Sequence, residues 1–311
     1  NTAIGFQAAL NLNGGTDSVY VGYLAGGVGA IAGDENVAIG KSAFLEATSA
    51  ATSVFVGTHA GGKTTAAGRA APVTGASNTV VGNTAGYALT SGASNVLIGK
   101  NAGLNLTDNT ANIAIGLNAL DAANAGEHYN VAIGHQALSA ETSGADGCVA
   151  IGYNALLTQN RDASANTAIG YLALTNLQAT AGGAYGGIQN TAVGYQAGGS
   201  GVFGGTAGQG DNNTLLGYKT GYSIGTGKQN VLIGAEAGLL LTDNDQNIAI
   251  GAYALDGCNG GENYNIAIGA YALSSDIAGS DYCIAIGKSA LQSQNADVKN
   301  TAIGGLAGDA I

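Results

Sequence analysis

Residues Asn247 to Leu255 read NIAIGAYAL, and the same nine letters return at Asn265 to Leu273. Numbered from its glycine as position 0, this unit recurs seventeen times along the chain. Its glycines are Gly5, Gly22, Gly40, Gly57, Gly82, Gly99, Gly116, Gly134, Gly152, Gly170, Gly194, Gly217, Gly234, Gly251, Gly269, Gly287 and Gly304. Self-similarity at a short period is typical of a solenoid, in which each repeat buries its apolar face by stacking on its neighbours. The sequence therefore predicts a single elongated repeat domain over residues 1–311, with about 17 coils.

The three residues before each glycine have the character of a β-strand. Position −1 is aliphatic and position −3 is Thr, Val or Ile in all seventeen copies. Position −2 is Ala in eleven copies and a larger apolar residue in the other six. Val, Ile, Thr and aromatic residues favour strands, and the glycine permits a tight turn. The chain is therefore predicted to be all-β, a β-solenoid whose coils each contain a strand, a turn, a second short segment and a loop.

Position −2 raises the question of what covers the second face of each strand. Alternate residues of a strand point to opposite faces, so −3 and −1 share one face and −2 lies on the other. We assign −3 and −1 to the core of the coil. Position −2 is then expected to form an apolar stripe covered by another subunit, because soluble monomers rarely expose such a stripe. The representative members of this predicted trimer-interface stripe are Ala114, Ala132, Ala150, Ala168, Ala249, Ala267 and Ala285.

Two other positions have alternative interpretations. Position −4 is Asn in thirteen copies, which predicts either a hydrogen-bond ladder along the stack or separately satisfied turns. Position +1 is Tyr in four successive copies, Tyr153, Tyr171, Tyr195 and Tyr218, so stacked coils would align these rings into a stripe. That stripe is interpreted either as ordinary packing between coils or as a surface that binds sugars.

Three coils are longer than the others. Successive glycines are separated by a nearly constant step, and the exceptions are the longer steps that follow Gly57, Gly170 and Gly194. The longer loops fall within residues 58–81, 171–193 and 195–216. Additional loop on a rigid scaffold is where recognition is usually found, although such loops are also simply tolerated. The candidate receptor contacts in these loops are Lys63, Arg69, Tyr185 and Phe203.

Composition excludes several functions. The net charge of −11, from 20 acidic and 9 basic residues, argues against binding nucleic acid. No apolar run is long enough to span a bilayer, so no membrane insertion is expected in this segment. The sequence has no Ser/His/Asp arrangement, no zinc spacing and no phosphate loop, and acidic residues such as Asp34, Asp211 and Asp245 lack the spacing of calcium β-rolls. We therefore expect no catalytic residues, no enzymatic activity and no cofactor or metal.

The unit NxAIGxxAL, as in Asn166 to Leu174 (NTAIGYLAL) and Asn130 to Leu138 (NVAIGHQAL), resembles the NTAIGYQAL-type repeats of phage tail-fibre proteins. It is also similar to the head repeats of trimeric autotransporter adhesins. The resemblance covers the whole chain. It implies a parallel β-roll, left-handed in the adhesins, that assembles as a homotrimer with the apolar strands facing the common axis.

This resemblance gives two functional hypotheses. The first is a non-enzymatic structural fibre segment, a trimeric β-solenoid shaft of a phage tail fibre that supports recognition of a host receptor. The alternative is the head of a bacterial cell-surface trimeric adhesin that binds host or matrix surfaces. The implied partners are further copies of the chain, neighbouring fibre or virion segments, and a host-surface glycan or protein. The expected location is the virion or the extracellular surface, and the chain is expected to be a segment of a longer protein.

Overall fold

A computed structural model describes residues 1–62, 72–122, 126–140, 144–159, 164–177, 186–199, 209–257, 261–275, 280–293 and 299–309. This part of the chain is all-β, contains no helix, and forms a parallel β-solenoid. Its contacts divide it into two compact units, Asn1–Ala150 and Ile151–Ile311. The coil number, handedness and single-domain organisation expected from the sequence stay predictions.

The first unit consists of short strands, each paired in parallel with the next. They are β1 (Thr2–Ile4), β2 (Val19–Val21), β3 (Val37–Ile39), β4 (Val54–Val56), β5 (Thr79–Val81), β6 (Val96–Ile98), β7 (Ile113–Ile115) and β8 (Val131–Ile133). Equivalent positions are opposite each other in every pair, as Ala114 is opposite Ala132. The register persists across the long step after Gly57, where Phe55 pairs with Val80. The extra residues of that coil therefore do not disturb the ladder. Strand β9 (Val149–Ile151) includes the residues at which the two units divide.

The second unit repeats this arrangement. Its strands are β10 (Thr158–Gln159), β11 (Thr167–Ile169), β12 (Asn176–Leu177), β13 (Thr191–Val193), β14 (Thr214–Leu216), β15 (Val231–Ile233), β16 (Ile248–Ile250), β17 (Ile266–Ile268), β18 (Ile284–Ile286) and β19 (Thr301–Ile303). Strands β10 and β12 form a separate parallel pair, while β11 and β13 to β19 form one ladder. Ala168 pairs with Ala192, and Ala192 with Leu215, so the two longer coils also keep the register.

The glycine at position 0 is required at the corner of each coil. Gly251 has a φ of 137°, and a Cβ placed on it would lie 2.6 Å from the carbonyl oxygen of Gly269 in the next coil. The chain bends at this residue immediately after the strand. Positions +2 and +4 then adopt the left-handed conformation even where they are not glycine, as at Tyr253 (φ 58°) and Leu255 (φ 54°). The repeated corner thus sets the path of every coil.

The interior of the coil is formed by position −2, and the sequence-based assignment of the two strand faces was wrong. The predicted interface alanines are fully buried within a single chain. Positions −3 and −1 point outward instead and are partly exposed in most strands, as at Ile113 and Ile115 in β7. The reason is the width of the coil. One residue of each short strand fills the space opposite Ala at +3 and the residue at +4, so no second subunit is needed to cover −2.

The sizes of positions −2 and +4 compensate for one another. All six copies with a large residue at −2 have Gly at +4, whereas Ala at −2 is usually followed by Leu. In the second coil, a Cβ on Gly26 would lie 2.6 Å from the Tyr20 ring. In the coil that contains β4, a Cβ on Gly61 would overlap the ring of Phe55. Positions −2 and +4 therefore occupy the same interior space.

Position −4 forms a buried hydrogen-bond ladder in each unit. The Oδ1 atom of Asn112 accepts from the backbone N–H of Asn130 at 3.0 Å, and that of Asn130 accepts from Cys148 N–H at 2.8 Å. The Nδ2 group of Asn130 donates to the carbonyl of Ala145 at 2.7 Å. Of the two interpretations of this position, the ladder is therefore confirmed. The same amide also satisfies a loop carbonyl, and buried polar groups must be paired in this way.

Candidate interaction surfaces

The outward face of the sheet is an apolar surface in both units. Positions −3 and −1 carry only Thr and aliphatic residues in all seventeen copies, so no charge interrupts the face. Many of these side chains are partly exposed in the single chain: Ile98 is 37% exposed and Leu216 is 47% exposed. The side chains recur once per coil in strict register. We call this apolar, partly exposed surface the outward strand face.

The aligned tyrosines predicted at position +1 are stacked in the second unit. The ring centroids of Tyr153 and Tyr171 are 5.1 Å apart, those of Tyr171 and Tyr195 are 5.2 Å apart, and those of Tyr195 and Tyr218 are 5.5 Å apart. Neighbouring ring planes differ by 5° to 13°. All four side chains are exposed. We call this set the tyrosine stack, and the sequence predicted both its members and their alignment.

A second polar ladder lies at position −6 and was not anticipated from the sequence. In the first unit, an Asp34 carboxylate oxygen accepts from the backbone N–H of Thr16 at 2.6 Å. In the second unit, Asp211 accepts from Ile188 N–H and Asp245 from Lys228 N–H, both at 3.0 Å. Asp and Asn recur at this position, although with many exceptions. Asp34, Asp211 and Asp245, which were weighed as calcium ligands, therefore accept hydrogen bonds from backbone groups of the preceding coil.

Two fully buried glutamates are a further feature that the sequence analysis missed. Asn109 Nδ2 donates to Glu127 Oε2 at 2.6 Å, and Asn244 Nδ2 donates to Glu262 Oε2 at 2.6 Å. The second pair is the duplicate of the first, in the same alignment that relates VLIGKNAGLNLTDN at 96–109 to VLIGAEAGLLLTDN at 231–244. That duplication was the available signal. A buried charge persists only when it is hydrogen-bonded, and these contacts supply part of that requirement.

One aspartate has a strongly altered acidity. The pKa of Asp256 is raised from its ordinary value of 3.8 to about 6, chiefly by burial and in smaller part by the nearby Glu236 carboxylate, while hydrogen bonds from the Asp256 and Gly257 backbone oppose the shift. Its Oδ1 atom is buried and has no hydrogen-bond partner. Burial also raises the pKa of Asp121, the equivalent residue in the earlier copy of the duplicated segment. Both side chains follow the buried Leu of position +4, so their desolvation has a common origin.

The four candidate receptor contacts, Lys63, Arg69, Tyr185 and Phe203, lie outside the described residues. They stay predictions, as does the recognition role of the longer loops. Across the described residues, no group of three or more His, Cys, Asp or Glu side chains is arranged to hold a metal ion.

Among the described residues there is no helix with the length and apolarity needed to cross a membrane. Comparison of the chain with family models, with curated proteins and with solved structures gives no significant match to any of them.

Proposed function

We propose that this chain is a non-enzymatic structural fibre segment, a trimeric β-solenoid shaft of a phage tail fibre that supports recognition of a host receptor. The observation that carries the proposal is the outward strand face. It repeats over the strands of both units, carries no charge, and is partly exposed in one chain. Surfaces of this kind on soluble proteins mark sites of association.

A further copy of the same chain is the partner that fits this face best. The side chains of the face recur once per coil, and an identical chain has side chains at the same spacing, so ridges and gaps of two copies match over many coils. A face without charges also favours a partner without charges, because burying an unpaired charge is costly. The trimeric state itself follows from the resemblance of the repeats and is part of the proposal.

Sedimentation of the unmodified chain and of outward-face variants tests the assembly. Ile248→Glu with Ile266→Glu places charges at −3 on two adjacent coils, and we expect it to dissociate the assembly. Ile248→Thr with Ile266→Thr is the matched control, since Thr occupies position −3 in other copies such as Thr191 and Thr214. The control is expected to remain trimeric. A folded monomer of the unmodified chain at micromolar concentration would refute the assembly, and a dimer would refute its stoichiometry.

Labelling tests the biological role. Antibodies raised against the purified chain are expected to decorate tail fibres of phage particles in electron micrographs. Decoration of a bacterial cell surface in the absence of phage would replace the fibre assignment with the adhesin head.

A further inference from the structure

The tyrosine stack is a continuous row of four exposed rings at the spacing of the coils. Parallel aromatic rings are in contact when their planes are about 3.5–4 Å apart, yet these centroids are 5.1 to 5.5 Å apart. Near-parallel rings at this spacing touch only when each is inclined and displaced sideways by roughly 3–4 Å, which is the preferred offset arrangement. In this offset arrangement, each ring leaves part of one face uncovered by its neighbour. The exposures of Tyr153 and Tyr218, 43% and 46%, agree with this arrangement.

The residues beside the stack carry one charge of each sign. The +2 residues whose backbone N–H groups donate to the carbonyls of the four tyrosines are Leu172, Gln196, Lys219 and Glu236. The Lys219 ammonium lies 5.4 Å from the centroid of the Tyr218 ring and 5.5 Å from that of Tyr222, so it is held over aromatic faces. The chain as a whole carries −11 and repels polyanions. The surface therefore suits an uncharged ligand that offers both apolar C–H faces and hydroxyl groups.

We propose that the tyrosine stack formed by Tyr153, Tyr171, Tyr195 and Tyr218 binds an extended, uncharged glycan. The inference rests on the proposed attachment role and gives it a ligand class. A pyranose ring is similar in size to a phenol ring, so an extended glycan places one sugar on each ring. The C–H face of a sugar packs on the uncovered part of a tyrosine face, and the phenolic hydroxyls exchange hydrogen bonds with the hydroxyl groups of the sugar.

The position of the stack in the sequence supports the same conclusion. The tyrosines belong to the coils that begin at Gly152, Gly170, Gly194 and Gly217, and the second and third of these coils are the two longer ones of the second unit. Loops on a rigid scaffold are a common place for recognition, and these two coils carry the extra loop residues. The second unit also contains a stacked pair outside these coils, Tyr253 and Tyr271, with centroids 5.0 Å apart. That pair provides a control with the same side chains, although Tyr253 lies near the Glu236 and Asp256 carboxylates.

The experiment probes the unmodified full chain with an array of defined neutral and anionic oligosaccharides and measures the affinity of the best binder by titration calorimetry. Tyr171→Ala with Tyr195→Ala removes the two central rings and is expected to weaken binding at least about tenfold. Tyr253→Ala with Tyr271→Ala is expected to leave the affinity unchanged. Tyr171→Phe with Tyr195→Phe keeps the rings, and we expect a loss of only a few-fold.

The outcomes separate this inference from the proposed fibre function. Absence of binding to every neutral glycan on the array would overturn the inference, as would equal affinity of the double alanine variant. Binding restricted to anionic glycans and abolished by Lys219→Ala would also overturn it. A change of sedimentation in the Tyr171 and Tyr195 alanine variant would place the stack in a subunit contact instead. Glycan binding by a chain that sediments as a monomer would uphold the inference while the trimer proposal failed.

Discussion

The size compensation between positions −2 and +4 predicts strong energetic coupling between Phe55 and Gly61. Phe55 is fully buried, and its truncation in Phe55→Ala leaves a cavity that should cost about 3–5 kcal/mol. Gly61→Leu alone forces a side chain into the Phe55 ring, because the added Cβ would already overlap it, and should cost about 1–3 kcal/mol or more. Each single variant is therefore expected to be clearly destabilised.

The double variant, Phe55→Ala with Gly61→Leu, recreates the pairing found in Ala114 and Leu120. The new leucine fills the space that the phenylalanine leaves. The remaining destabilisation comes from the left-handed backbone at residue 61, where φ is 56°. This conformation costs a non-glycine residue about 1–2 kcal/mol. Since the single variants sum to about 4–8 kcal/mol, the coupling energy should be at least about 2 kcal/mol.

Equilibrium urea denaturation followed by circular dichroism measures the four stabilities, and hydrogen exchange of the β4 and β5 amides provides a local readout. Phe55→Ala combined with Gly103→Leu is the control. Gly103 lies two coils further on and approaches Leu97 instead, so those two changes should add within about 0.5 kcal/mol. Simple additivity of Phe55→Ala and Gly61→Leu would refute the conclusion that positions −2 and +4 share one interior space.

Three further predictions concern the polar interior and its acidity. Asn112→Ala leaves the backbone N–H of Asn130 and the carbonyl of Glu127 without these hydrogen-bond partners, so it should lower the free energy of unfolding in urea by about 2–5 kcal/mol. Asn112→Ser should lower it less, because Ser53 Oγ accepts the equivalent bond in an earlier coil at 3.1 Å. Glu127→Gln should be milder than Glu127→Ala in thermal unfolding, because Gln retains an acceptor for the buried Asn109 amide; equal losses would contradict this. The folded-state pKa of Asp256 is about 6 and lies above its ordinary value of 3.8, so the folded chain binds this proton more tightly than the unfolded chain. The resulting contribution to stability is fully present below pH 3.8 and is lost as the pH rises to about 6. Asp256→Asn should therefore stabilise the chain at pH 8 by roughly 1 kcal/mol, a value reduced for partial exposure, and should have no effect at pH 3; a variant that is less stable at pH 8 would contradict the sign.

The repeat unit by itself determined the class of the fold. A short run of β-forming residues that ends at an obligatory glycine, repeated at a nearly constant step, has few ways to bury its apolar positions other than stacking. Strict spacing also determined which side chains align, because equal steps place equivalent positions above one another. The tyrosine stack and the asparagine ladder were predictable for this reason.

Only the tertiary structure decided which strand face is inside. Alternation places −3 and −1 on one face of the strand and −2 on the other. It does not indicate which face is inside, because both sets of residues are apolar in this chain. The coupling of large residues at −2 with glycine at +4 was present in the sequence and could have resolved the choice. The alanines at −2 do not resolve it by themselves, because Ala is small enough to suit either an interior or an interface.

The buried glutamates and the ladder at position −6 also depended on tertiary structure. Asn109 and Glu127 belong to successive coils, and so do Thr16 and Asp34. Each contact joins a loop of one coil to the loop of the next, and loop residues follow no strict pattern of hydrophobicity. Short-range preferences fix the strand and its corner, whereas partners across coils are fixed by the path of the loops, which only the stacked chain defines.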